Sequence, residues 1–307
     1  MTDLVPARVR VPCSTSNLGS GYDTIGLALN RYLEAAFEPD RSGRLRLHRS
    51  GTLTSLEESD ERDLVADAFL RGLAASDVEP SGTLHLESEV PVARGLGTSA
   101  AARIAGFDLA LAARGAGGDD EAALRFAWKG EGHADNVAPC LLGGLRAVAP
   151  GDDGPVVMEL PLSEKVGFAY AAPASRVSTE EARALLPERV AHRVAAASLG
   201  RVVALVRGLA QGDPELVRIG VKDELHVPHR LPLVPGADAA IVAGEEVGAW
   251  AVTISGAGSG LIALCAPEDA ERVAAAMRRA FQTGTGEPEA VGLALEPDFE
   301  GLRRLPP

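Results

Sequence analysis

Lysine is almost missing from this 307-residue chain: Lys129, Lys165 and Lys222 are the only three, and arginine carries nearly all the positive charge. The net charge is −13. A surface of that sign is not drawn to nucleic acid or to an anionic membrane, so neither is expected as a partner, and an anionic substrate must be held by local groups. Cysteine is scarce as well. Cys13, Cys140 and Cys265 are odd in number, far apart and outside any C-x-x-C pattern. That excludes a disulfide framework and a thiolate metal site, and it predicts a reducing, cytoplasmic setting. The first residues hold no long apolar h-region and no later apolar run reads as a bilayer span, which predicts a soluble chain. Repeats and low-complexity tracts are absent too. What remains is 46% apolar composition over 307 residues, enough for a large core and two domains of ordinary size.

The stretch Pro91 to Ala102, P-V-A-R-G-L-G-T-S-A-A-A, is the one the chain is organised around. Gly95 and Gly97 flank Leu96, so the backbone there can take positive φ and come close to a ligand. Thr98 and Ser99 have helix-capping side chains, and Ala100, Ala101 and Ala102 start a strong helix former that runs on through Leu111. A glycine loop emptying into a helix N-terminus presents open N–H groups and the positive dipole end, which suits a phosphate. It is neither a Walker A loop nor a G-x-G-x-x-G with an acidic partner, and on its own it reads more readily as a tight turn before a capped helix than as a phosphate site.

Around it, Ala7 to Val11 alternates as a half-buried strand that stops at Pro12, followed by a polar loop from Cys13 to Asp23. Strands are expected at Thr24 to Leu29, Tyr32 to Phe37, Leu45 to His48 and Thr83 to Glu87, with a helix capped by Asp63 and running to about Ala75. A helix over Glu121 to Lys129 leads into a second polar knot, Gly130 to Asn136. Gly151-Asp152-Asp153-Gly154-Pro155 is a turn, and we place the boundary close to it, giving domains of 1–158 and 159–307. In the second half, Ser178 with Glu181 forms a capping box that puts Arg183 one turn into its helix. A helix over Arg189 to Leu209, a cap at Asp213 and strands over Trp250 to Ser255 and Leu261 to Cys265, joined by glycines, complete the pattern. His226 and His229 straddle Pro228, which forbids the helical spacing of zinc motifs, so no metal is expected there.

Three glycine-bearing polar segments in this order resemble the GHMP kinases: V-P-C-S-T-S-N-L-G-S-G-Y-D at 11–23, P-V-A-R-G-L-G-T-S-A-A at 91–101 and I-S-G-A-G-S-G at 254–260. E-G-H-A-D-N-V-A-P at 131–139, S-T-E-E-A-R at 178–183 and Arg230 in V-P-H-R-L-P resemble their homoserine kinase branch. The resemblance spans nearly the whole chain. It implies an α+β, two-domain GHMP kinase fold, with a left-handed βαβ crossover like the second domain of ribosomal protein S5 in the N-terminal half and a ferredoxin-like sandwich in the C-terminal half. It implies ATP and Mg²⁺, a homodimer, and transfer of the γ-phosphoryl group to the hydroxyl of L-homoserine without a side-chain base. Other GHMP small-molecule kinases, for shikimate or the mevalonate pathway, and non-catalytic sensors are the alternatives.

By the same resemblance Pro91, Arg94, Gly95, Leu96, Gly97, Thr98, Ser99, Ala100 and Ala101 form the nucleotide loop, with Asp63 near the base. Ser99 and Glu131 hold Mg²⁺. Arg183 and Arg230 clamp the substrate carboxylate, Asn17 and Asp23 receive its ammonium, and Asn136, with His133 and Asp135 nearby, orients the hydroxyl. The chain departs from the family pattern at Thr98 for Ser, at Lys129 for an acid, at Ser259-Gly260 in the third segment and at Asp63 for Asn.

Overall fold

The computed structural model describes residues 4–56, 63–74, 78–286 and 288–307. The first half runs β1 (Ala7–Asn17), β2 (Gly21–Pro39), β3 (Leu45–Gly51), α1 (Leu64–Leu73), β4 (Gly82–Ser88), α2 (Thr98–Ala113), α3 (Asp120–Glu131), α4 (Val137–Leu142), β5 (Leu145–Gly151) and β6 (Gly154–Leu160). The second runs β7 (Gly167–Ala172), α5 (Thr179–Ala184), α6 (His192–Gln211), α7 (Pro214–Val221), α8 (Val227–Arg230), α9 (Ala237–Glu246), β8 (Ala249–Ile254), β9 (Leu261–Cys265), α10 (Ala270–Thr285), β10 (Val291–Leu295) and β11 (Arg303–Leu305).

The first sheet has the order β11-β1-β2-β4-β3, with β5 on β2 and β6 on β5. The two strands expected at Thr24 to Leu29 and Tyr32 to Phe37 are one long strand. It pairs with β1 along most of its length, with β5 at Ile25 to Leu27 and with β4 at Leu33 to Pro39. Asn30 and Arg31, where the sequence pattern breaks, are where β2 changes partners, so the interruption marks a fork in the sheet. β3 and β4 are parallel and joined through α1, the βαβ unit of this half. Helix α2 covers the sheet's inner face with alanines and two larger aliphatics: Ala100, Ala101, Ile104, Ala105 and Leu109 are buried in one cluster with Val9, Val11, Ala35 and Phe37.

The second sheet is antiparallel in the order β10-β7-β9-β8. With α6 and α7 between β7 and β8, and α10 between β9 and β10, this is a ferredoxin-like arrangement. Among the described residues, α6 is long and apolar enough to cross a membrane by length and composition, which corrects the expectation that no run qualifies. Its alanines and valines make it apolar, yet it is a docked helix: Leu205 and Leu209 are buried in a core that both sheets share, and Arg201 pairs with Glu224.

Three expectations about chain organisation change. Pro12 does not end β1: a register shift between Pro12 and Cys13 absorbs it, and the strand continues through the segment read as a loop, to Asn17. The cut after residue 158 falls inside β6, whose pairing with β5 extends to Leu160. The tail also returns to the first sheet, where β11 pairs with β1 and Arg304 donates to the buried Asp108 carboxylate of α2 at 2.6 and 2.8 Å. Asp63 caps α1 as expected. The described helix ends at Leu73, and Ala75 lies outside the described residues.

Candidate functional site

The three polar segments meet. Ser14 N donates to Leu96 O at 3.2 Å, Gly256 N donates to Ser16 O at 3.1 Å, and Asn17 Nδ2 donates to Gly256 O at 2.7 Å. Thr15 Oγ1 and Ser255 Oγ lie 2.9 Å apart, and Ser255 Oγ donates to Gly95 O at 2.6 Å. The small side chains of residues 14–17 therefore bind polar groups of distant segments instead of filling a core, which is why a strand there reads as a loop. The glycines of the central loop are required by position. Gly95 has φ 78° and a Cβ would sit 2.0 Å from Ser255 O; Gly97 has φ 61° and a Cβ would sit 2.2 Å from Ser14 Oγ. We expect Gly97→Ala to destabilise the fold by about 1–2 kcal/mol from its left-handed backbone alone, and by more from the clash, read by denaturant unfolding.

Gly97 itself is the N-cap of α2, with no side-chain cap hydrogen bond. This corrects the expectation that Thr98 and Ser99 cap the helix: both lie inside its first turn. The left-handed glycine makes the turn, so the first-turn N–H groups stay open and the Ser99 hydroxyl is left for other work. Beside them lies a cleft of about 470 Å³, lined by Gly97, Thr98, Ser99, Glu131, His133 and Asn136, with Thr179 and Gly256 also on its wall. Pro91, Leu96, Ala100 and Ala101 are buried, so their side chains serve the core and only their backbone can serve a ligand. Arg94 braces the second domain: its guanidinium donates to Ala174 O, and its own carbonyl accepts from Tyr170 Oη at 2.6 Å and Gly260 N at 3.2 Å.

Glu131 ends α3 just before Gly132, and its side chain is only 8% exposed. Ser99 Oγ donates to its Oε2 at 2.7 Å, and Arg103 Nε donates to its Oε1 at 2.7 Å. A hydroxyl and a carboxylate oxygen at that separation, next to open helix N–H groups, form an oxygen donor pair that fits a hard divalent cation. The polar knot after Gly132 is equally ordered. Asn136 Oδ1 accepts from Ser14 Oγ and Asn136 Nδ2 donates to Ser16 Oγ, both at 2.9 Å, which fixes the amide plane at the cleft wall. His133 Nδ1 lies 2.5 Å from Oδ1 of the fully buried Asp135. Burial alone would lower the His133 pKa, but the Asp135 hydrogen bond and charge outweigh it and the imidazole is raised. Asp135 is likewise desolvated, yet His133 holds its carboxyl below the ordinary value.

Behind this wall is a corner of charge. Arg183 forms a bidentate pair with Asp23 at 2.7 and 2.9 Å, and donates to Tyr22 Oη at 3.1 Å. Arg230 is only 2% exposed, and its hydrogen-bond partners are neutral and distant: Ala182 O, His226 Nδ1 and Gly256 O, each at 3.4 Å. Its guanidinium lies 5.1 Å from the Tyr22 ring centroid, and the His226 ring stacks on the same tyrosine with centroids 4.9 Å apart. Burial is the largest influence on Arg230 and disfavours its cationic form, and the charge of Arg183 adds to this.

Two site expectations are modified by this geometry. Asn17 is engaged in the loop itself, Oδ1 accepting from Asp23 N at 2.9 Å and Nδ2 donating to Gly256 O, so its amide is a scaffold with one lone pair to offer. Asp63 lines the cleft, but both carboxylate oxygens are taken: Oδ1 by Val65 N and Ala66 N, Oδ2 by Arg49. It is a cap and an ion-pair partner, not a free acceptor for a base. His226 is buried against Gly19 O at 3.0 Å, and no cluster of three or more metal-ligating side chains occurs among the described residues. Sequence reasoning missed Arg103, Ser14, Ser16 and Tyr22. A signal existed for the first three: Arg103 is four residues after Ser99 on one helix face, and Ser14 and Ser16 alternate along one strand face.

Comparison with known proteins agrees with this geometry. The family model for the GHMP kinases N terminal domain matches residues 63–144, and that for GHMP kinases C terminal matches residues 205–283. A homoserine kinase of Microchaete diplosiphon is 37% identical over 276 residues, 90% of each chain. That of Aquifex aeolicus is 33% identical over 297 residues, 96% of this chain and 98% of its own. The crystal structure of homoserine kinase from Cytophaga hutchinsonii superposes with a TM-score of 0.86 at 29% identity, covering 98% of this chain and 97% of that one. A mevalonate kinase, at 12% identity and a TM-score of 0.64, shares the fold alone. With both family models matched and relatives this similar over nearly its whole length, the chain belongs to the GHMP kinases and, within them, to the homoserine kinases.

Proposed function

We propose that the chain transfers the γ-phosphoryl group of ATP to the side-chain hydroxyl of L-homoserine, releasing ADP and O-phospho-L-homoserine for threonine biosynthesis. The observation that carries the substrate assignment is Arg230, a buried guanidinium that meets no carboxylate among the described residues, set beside the Arg183–Asp23 pair. A zwitterion matches that corner. Its carboxylate would bridge Arg183 and Arg230, for which the planar fork is well shaped, and its ammonium would take over Asp23. The phosphates would lie against the N–H groups of the loop from Gly95 to Ser99.

Ser99 and Glu131 are the residues that would hold Mg²⁺, which when bound neutralises phosphate charge as it develops. The other contributions come from the chain. Asn136, pinned by Ser14 and Ser16, orients the acceptor hydroxyl, and an amide takes no proton at neutral pH. His133 lines the same cleft beside Asn136, its ring held by Asp135. Phosphoryl transfer passes through a loose transition state with little bonding to the nucleophile, so positioning and charge neutralisation can supply most of the acceleration. We therefore expect Asn136→Ala to lower kcat by roughly 10- to 100-fold through lost positioning, and Asn136→Asp to add no new ionisation to the pH–rate profile. An Asn136→Asp enzyme whose rate climbed steeply with pH, beside an inert Asn136→Ala, would return a base to the mechanism.

Three buried, unpaired cysteines support a cytoplasmic location, and the homodimer rests on the family resemblance. ADP release, measured by a coupled assay with homoserine, shikimate and mevalonate in turn, tests the reading. Turnover should require homoserine and a divalent cation; equal or faster release with either other alcohol would overturn it.

A further inference from the structure

We infer that Arg103 is a positioning residue for the carboxylate that would hold the cation: by fixing Oε1 of Glu131 it leaves Oε2 alone turned to Ser99. The idea rests on the proposed metal role of Ser99 and Glu131 and goes one step behind it. Arg103 lies four residues after Ser99, so both side chains leave the same face of α2 and reach Glu131 across the gap to α3. They divide the carboxylate between them, Arg103 Nε on Oε1 and Ser99 Oγ on Oε2, each at 2.7 Å.

That division separates positioning from competition. An arginine that merely blocked the metal site would take the oxygen facing Ser99, and Arg103 takes the other one. The guanidinium also has a prepared seat. A Cβ at Gly130 would fall 2.8 to 2.9 Å from Arg103 Nη1, Cδ and Cζ, so the residue next to Glu131 in the chain has no side chain where Arg103 crosses. Lys129, the other cation of that turn, is exposed. A carboxylate held through one oxygen keeps a fixed plane and offers a single lone-pair direction to a small cation that demands regular geometry.

The test uses the full-length chain with ADP and Mn²⁺, the metal affinity being read by electron paramagnetic resonance. Arg103→Gln should weaken Mn²⁺ about tenfold or more, while metal-free ADP affinity stays unchanged. Arg103→Lys should recover part of the loss. Gly130→Ala, which displaces the guanidinium without deleting it, should weaken Mn²⁺ in the same direction and replaces Arg103→Gln should that variant not fold. Glu131→Gln is the control. If it loses Mn²⁺ while Arg103→Gln and Gly130→Ala bind as tightly as the unchanged chain, or more tightly, Arg103 does not position the carboxylate. If Glu131→Gln also keeps full affinity, the metal assignment itself falls.

Discussion

Glu131→Gln is expected to reduce kcat by about 100- to 1,000-fold, the effect of removing one preorganised electrostatic contact to charge that develops in the transition state. Glutamine has nearly the shape of glutamate. It keeps an acceptor for Arg103 Nε and a partner for Ser99 Oγ, so the change removes charge while the local contacts at 2.7 Å survive. Glu131→Ala would leave Arg103 facing a partly buried gap and mix a folding defect with the catalytic one. The KM for homoserine should move little in the Gln variant, because the charge corner of Arg183, Arg230 and Asp23 is built on other elements. Steady-state kinetics with a parallel thermal melt check this. A Glu131→Gln enzyme within a few-fold of the unchanged rate would remove this carboxylate from the chemistry.

Arg230→Met should instead appear in homoserine binding. Truncating one side of a buried charge contact costs about 2–5 kcal/mol, so the KM for homoserine should rise by roughly 100-fold or more while the KM for ATP stays put. Methionine keeps much of the volume beside Tyr22 and Ala182. At Arg183 the effect should be smaller, since its side chain is about a third exposed and a hydrogen bond to a charged group at such a site is worth about 1.5–3 kcal/mol at most. Losing Arg183 also leaves Asp23 without its bidentate partner, which adds a pull on the substrate ammonium and offsets part of the loss. Unaltered homoserine affinity in both arginine variants would withdraw the substrate assignment, whatever the kinase activity.

Much of this was legible in the sequence wherever the information is local. Asp63, Ser178 and Asp213 each accept from N–H groups two or three residues on, a relationship fixed by helix geometry, and all three cap the helices they announce. The glycine hairpin between β8 and β9 is local in the same sense. The misread parts depend on distant partners. Residues 13–17 look like a loop because Ser14, Ser16 and Asn17 are polar, yet their partners Asn136 and Gly256 lie more than a hundred residues away. Thr98 and Ser99 have the chemistry of caps, but Gly97 in a left-handed conformation takes the capping position and frees them. Arg183 and Asp23 were assigned to opposite ends of a substrate; opposite charges on facing elements satisfy one another directly, which pattern reading does not foresee. The return of β11 to the first sheet is three residues long and held by Arg304 on Asp108, too short a signal to move a domain boundary.

On the function proposed above, Ser99 and Glu131 meet on one cation beside a corner that grips an amino acid. Anomalous diffraction from crystals grown with Mn²⁺, a non-hydrolysable ATP analogue and homoserine tests it most directly. One metal peak is expected within about 2.0–2.3 Å of both Ser99 Oγ and a Glu131 oxygen, with the homoserine carboxylate on Arg183 and Arg230. A metal peak out of reach of Glu131, with that carboxylate still closed on Ser99 and Arg103, would contradict it.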